Sequence, residues 1–117
     1  MGTNYYAGRK RPTTERAYHI GKSSIGWLFN FQSQNEKWAE PPVVWNSYKM
    51  LEDWLKKYVV EKKEFVILNE YDQIISYDDF IKLVNEKQND PFCRDNPDNF
   101  RWARNVDGYR FTDECFS

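Results

Sequence analysis

The stretch Tyr18-His19-Ile20-Gly21-Lys22-Ser23-Ser24-Ile25-Gly26-Trp27-Leu28-Phe29 sets the frame for this chain. It contains the single histidine, two of the five glycines, a lysine followed by two hydroxyls, and the first tryptophan. On its N-terminal side Tyr18 and Ile20 alternate with His19 and Gly21. On its C-terminal side Trp27, Phe29 and Phe31 alternate with Leu28, Asn30 and Gln32. A period of two is the spacing of a strand, whose successive side chains point to opposite faces. The segment 21–26 has glycine at both ends, so the pattern predicts an antiparallel hairpin with its turn there.

Working outward, Met1-Gly2-Thr3-Asn4-Tyr5-Tyr6 is rich in strand-favouring residues and predicts a short first strand. Residues 8–16 carry four cations against one anion, with glycine and proline punctuation, and predict an exposed basic loop. Such a loop is either a solvated connection or a flap that neutralises phosphate. Residues 33–42 are polar and end in Pro41-Pro42, hence a loop, with Trp38 at the surface. Met50, Leu51, Trp54, Leu55 and Tyr58 recur at helical spacing behind an N-cap at Asn46 or Ser47. Phe65-Val66-Ile67-Leu68 predicts a buried central strand, and Gln73-Ile74-Ile75 its short partner. Ser76 and Asp79 have capping-box spacing ahead of a helix over about 77–87 that buries Phe80, Ile81 and Val84. Residues 92–99 are irregular. Asp107-Gly108 between alternating aromatics predicts a closing hairpin. The sum is one α+β domain spanning 1–117, a mainly antiparallel sheet with two helices packed on one face.

Composition narrows the function classes. A net charge of −1 argues against a dedicated duplex-DNA binder, which needs a basic face. Eight Tyr, eight Phe and five Trp exceed what a small core needs, so some rings should lie in a pocket or at an interface. Cys93 and Cys115 lack Cys-x-x-Cys spacing. With one histidine they make no structural zinc site unless a carboxylate or another subunit contributes; their pairing stays open. No apolar run approaches a membrane span and no export signal is visible, which predicts a cytoplasmic protein without a membrane partner.

In its opening Met1-Gly2-Thr3-Asn4-Tyr5-Tyr6, its His19-Ile20-Gly21-Lys22-Ser23-Ser24-x-Gly26-Trp27 block and its terminal Phe116-Ser117, the chain resembles a group of small bacteriophage and prophage proteins. Residues 66–80 are also similar. The resemblance implies a phage setting, in the cytoplasm of an infected bacterium, rather than an activity. Many of those proteins carry a Cys-x-x-Cys before the histidine; here Arg9-Lys10-Arg11-Pro12 fills that region, which puts a zinc-dependent role in doubt.

Gly21-Lys22-Ser23 is similar to the end of a phosphate-binding P-loop, but the pattern requires glycine at position 16, where Arg stands, and a helix after it. A nucleotide hydrolase of that type is rejected. The residue types still suit an anion: glycines for close backbone approach, serine hydroxyls and N–H groups, and a lysine charge. The plain alternative is a glycine-cornered turn with surface hydroxyls. Tyr5, Tyr6 and Trp27 could stack on a base or sugar, although alternation sends Tyr5 or Tyr6 to the core. His19 as a general base would need Tyr5, Tyr6, Ser23, Asp107 or Asp113 within reach. The leading expectation is a non-catalytic binder of a small phosphorylated ligand, without cofactor or metal. Its candidate contacts are Tyr5, Tyr6, Arg9, Arg11, His19, Lys22, Ser23, Ser24 and Trp27. The alternatives are a protein that inhibits a host enzyme through exposed rings, a small His-dependent hydrolase or nuclease, and a single-strand nucleic-acid binder. A homo-oligomer with a shared pocket is also open.

Overall fold

Two strands, β1 (Gly2–Arg9) and β2 (Glu15–Ser24), pair antiparallel and form the spine of the fold. The computed structural model describes residues 2–9, 15–101 and 103–113. β3 (Asn30–Gln32) pairs antiparallel with β2; β6 (Phe65–Asn69) pairs with β1, and β7 (Ile74–Ile75) with β6. The chain closes with β8 (Arg104–Val106) and β9 (Tyr109–Thr112), and β9 lies parallel to β3. The result is a seven-stranded, mainly antiparallel sheet in the order β7-β6-β1-β2-β3-β9-β8. A separate ribbon pairs β4 (Gln34–Glu36) with β5 (Val43–Trp45).

Helices α1 (Tyr48–Leu55) and α2 (Tyr77–Asn89) cover one face of the sheet, and α3 (Pro91–Arg94) follows α2. Ser47 caps α1 by accepting from the Met50 N–H at 3.3 Å, and Ser76 caps α2 through the Asp79 N–H at 3.1 Å. Both hydroxyls satisfy N–H groups that a helix start leaves unpaired. Leu51, Trp54 and Leu55 of α1, with Phe80 and Val84 of α2, pack on Ala7, Ile20, Phe29, Phe31, Ile67 and Phe111. Each buried Leu, Ile, Val or Phe side chain of this set contributes roughly 1.5–3 kcal/mol by leaving water. Trp45 is fully buried and donates from Nε1 to the Gln32 carbonyl at 2.7 Å, fastening the β4–β5 ribbon to the sheet.

Several expectations shift. Lys22, Ser23 and Ser24 are strand residues rather than turn, because β2 continues to pair with β1 as far as Gly2↔Ser24. The turn is Ser24-Ile25-Gly26-Trp27, closed by the Trp27 N–H on the Ser24 carbonyl at 3.3 Å, with Gly26 at φ +81° where a type II turn requires glycine. Arg9 belongs to β1 and Arg16 to β2, so both are strand rather than loop residues, and Arg11 lies outside the described residues. Residues 34–36 form a strand where the sequence predicts loop, paired with 43–45, since Trp45 pulls this ribbon against the core. Residues 91–94 form a helical turn: Asp90 accepts from the Phe92 N–H and Pro91 suits a first helical position.

A bulge in β2 also revises the alternation. Tyr5 pairs with Gly21 and Tyr6 with His19, leaving Ile20 as the extra residue. Gly21 therefore turns to the helix side rather than sharing a face with His19.

Candidate functional site

Register decides what the open face of the sheet presents. Asn4, Lys22, Asn30 and Arg110 stand opposite one another across β1, β2, β3 and β9. The next row, Tyr5, Gly21, Phe31 and Phe111, faces the helices. Strand alternation thus converts one aromatic row into core and leaves its neighbour as a polar strip on the opposite side.

A cavity of about 170 Å³ opens on that strip, lined by Lys22, Ser24, Trp27, Leu28, Asn30 and Arg110. Arg110 is only 8% exposed, and its Nε is buried without a hydrogen-bond partner. Its guanidinium lies 5.0 Å from the centre of the Trp27 ring. Burial pulls its pKa below the ordinary value, yet an arginine remains charged at any physiological pH. Among the described residues it has no ion-pair partner. An unsatisfied buried donor costs about 1–3 kcal/mol, more when charged. Asn30, which also lines the cavity, accepts at Oδ1 from the Thr112 hydroxyl at 2.9 Å, and its amide N–H groups make no hydrogen bond among the described residues. Two cations, an amide and a hydroxyl around a small concavity suit an anion, and the Arg110 fork suits phosphate or carboxylate oxygens.

The Trp27 wall is held from below. The Lys87 ammonium donates to the Ser24 carbonyl and, at 3.3 Å, to the Trp27 carbonyl. Asn96 donates to the Gly26 carbonyl at 2.8 Å, and Asn99 accepts from the Leu28 N–H at 3.0 Å. Asn99 is itself 1% exposed and donates to the Cys93 carbonyl. The loop that shapes the cavity is therefore clamped by α2 and the segment after α3, and its backbone groups are satisfied by side chains instead of water.

Of the residues singled out from sequence, Lys22, Ser24 and Trp27 converge on this cavity. Tyr5 does not: its ring lies on the helix side, 5.7 Å from Phe29 and 5.8 Å from Phe80. Ser23 alternates to that side as well. Arg9 sits over the Phe65 ring at 5.2 Å and donates to the Glu40 carbonyl, away from the cavity. Gly21 offers no backbone approach to a ligand here. Its missing side chain makes room for the Phe29 ring, which an added Cβ would meet at 2.4 Å.

Tyr6 and His19 share the open face with Lys22, but in a separate cluster. Their rings are 5.2 Å apart, and Arg16 covers the Tyr6 ring at 4.9 Å while pairing with Asp72 at 2.9 Å. His19 Nε2 is 3.0 Å from Asn4 Oδ1, within hydrogen-bond distance. Burial lowers the His19 pKa, Lys22 lowers it further, and a backbone contact with Gly21 opposes both. Asp113, an alternative acid for His19, is engaged by Arg104 at 2.7 Å.

Arg110 and Asn30 carry no signal in the local sequence. Only the parallel pairing of β9 with β3 brings Arg110 beside the motif. Fold and site together define an α+β sheet protein with a small cationic recess on its helix-free face. Comparison with protein-family models, curated proteins and solved structures gives no match.

Proposed function

We propose that this protein is a non-catalytic binder of a small phosphorylated, nucleotide-like ligand, seated at the recess between Lys22 and Arg110. The observation that carries this reading is Arg110, a buried guanidinium with an unmatched Nε–H beside a lysine and a tryptophan. A bound phosphoryl oxygen supplies an acceptor for the Arg110 Nε–H and a charge opposite to its guanidinium. The recess is smaller than the usual 300–1,000 Å³ of a drug-sized pocket. At about 170 Å³ it accommodates one phosphoryl group, and the remainder of a ligand extends along the strip of Asn4 and His19. In the phage setting that the sequence resemblance suggests, such a binder could sequester a host immune messenger in the bacterial cytoplasm.

Calorimetry with inorganic phosphate, nucleoside monophosphates, ADP-ribose and cyclic oligonucleotides tests the assignment. Saturable binding by at least one nucleotide, weakened tenfold or more in Arg110→Met, is the expected result. No binding by any of them removes the proposal.

One observation favours a second reading, an inhibitor that docks on a host enzyme. Trp38 is 97% exposed on the turn between β4 and β5, where an indole has nothing to cover. A purified host partner whose binding is lost in Trp38→Ala and retained in Lys22→Ala would support it.

A further inference from the structure

At the far edge of the sheet a second, apolar cleft of about 640 Å³ lies between β7, the start of α2 and the segment Lys56–Glu61. Val59, Val60, Phe65, Ile67, Ile74 and Ile75 form its walls, and Lys56 and Lys63 stand at its mouth. Its volume falls within the range of sites that take a small organic ligand.

Two uncommon backbone features frame this cleft. Residues 56–61 continue α1 as a π-helix, with the Lys62 N–H reaching the Lys57 carbonyl five residues back. Wide turns of this kind are rare and concentrate at functional sites. Directly after it, Lys63 adopts φ +56°, a left-handed conformation that glycine or asparagine takes at lower cost. The wide turn places Val59 and Val60 along one wall, and the left-handed residue returns Lys63 to the same opening. Val60 and Ile74 remain 42% and 65% exposed, so the cleft leaves apolar surface in water.

The charges specify the occupant. Among the described residues neither Lys56 nor Lys63 has an ion-pair partner, and Asp78 is the single carboxylate in the lining. We infer that the cleft binds a small amphipathic carboxylate, with its hydrocarbon body against Val59, Val60, Ile67 and Ile75 and its acid group between Lys56 and Lys63. Burial of methylenes supplies the affinity. The exposed lysines select an acid over a neutral head, and each is worth roughly a two- to five-fold change in affinity.

Titration of the full chain with decanoate, and separately with decanol, both below their aggregation limits, tests this by calorimetry. Decanoate should bind saturably and several-fold more tightly than decanol. The double substitution Lys56→Ala and Lys63→Ala should bring the acid to the level of the alcohol, and Val60→Trp, which fills the cleft from an exposed position, should weaken both. Inorganic phosphate should not displace decanoate; displacement would place the acid in the Lys22–Arg110 recess and overturn the inference. So would absence of saturable decanoate binding, equal affinity for acid and alcohol, or indifference to Val60→Trp. Apart from the phosphate competition, none of these outcomes depends on whether the recess takes a phosphorylated ligand.

Discussion

The row Tyr5-Gly21-Phe31-Phe111 and the row Asn4-Lys22-Asn30-Arg110 are one residue apart on the same four strands, yet they follow opposite rules. In the first, every gap is filled: Phe31 stacks on Phe111 at 5.0 Å and 18°, and Phe29 crosses the bare Cα of Gly21. In the second, the Arg110 Nε–H is buried with no hydrogen-bond partner among the described residues, and a recess remains open. The difference teaches where the stability of this face comes from. The polar row is held in place by the aromatic row behind it, so it can keep unmatched groups that an independent element could not.

The comparison breaks first at the core. Phe31→Ala should cost about 3–5 kcal/mol, because it removes a fully buried ring and leaves a hole between Phe29 and Phe111. Urea denaturation measures it. One residue away, Asn30→Ala should cost about 1 kcal/mol, the Thr112 hydrogen bond, while weakening any ligand of the recess. Equal losses from the two substitutions would erase the distinction between the rows.

Gly21→Ala comes next. The added methyl meets the Phe29 ring and the Asn30 carbonyl at 2.4 Å each, and overpacking of this kind costs typically 1–3 kcal/mol. A wild-type midpoint in denaturation would show that Gly21 serves the open face after all. For the polar row the sign reverses. Arg110→Met keeps much of the volume and removes a buried charge that has no ion-pair partner among the described residues, so stability should be unchanged or rise by about 1 kcal/mol. Loss of several kcal/mol would mean that the guanidinium already has the partner the recess is proposed to await.

These residues also show what a sequence can disclose. The caps Ser47 and Ser76, the Asp107-Gly108 turn with φ of 53° and 86°, and the alternation of β1 and β3 are local signals, and the α+β arrangement follows from them. Lys22, Ser24 and Trp27 were legible as a group because one strand and its turn carry them. Arg110 was not, since parallel pairing between β3 and β9 leaves no mark on either segment. The bulge at Ile20 explains the misplacement of Gly21: one unpaired residue moves everything after it to the other face. Trp45 gave no strand signal because its burial depends on a partner ribbon, not on its own neighbours.

The smallest effect expected is in pH, and it belongs to the open face alone. His19 is held below its ordinary pKa chiefly by burial, so the unfolded chain takes up its proton more readily than the folded one. Stability from the neutral ring is complete above the unfolded value of about 6.5 and declines as pH falls from there through the folded value, below which it changes no further on this account. His19→Gln keeps an amide donor for Asn4 Oδ1 but cannot titrate. The difference in unfolding free energy between wild type and His19→Gln should therefore drift against the wild type on acidification below about pH 6.5. Carboxylates elsewhere titrate alike in both proteins and cancel. A difference that stays constant from neutral pH into the acid range would show that the ring is as accessible to protons folded as unfolded, and that the open face is looser around His19 than around Arg110.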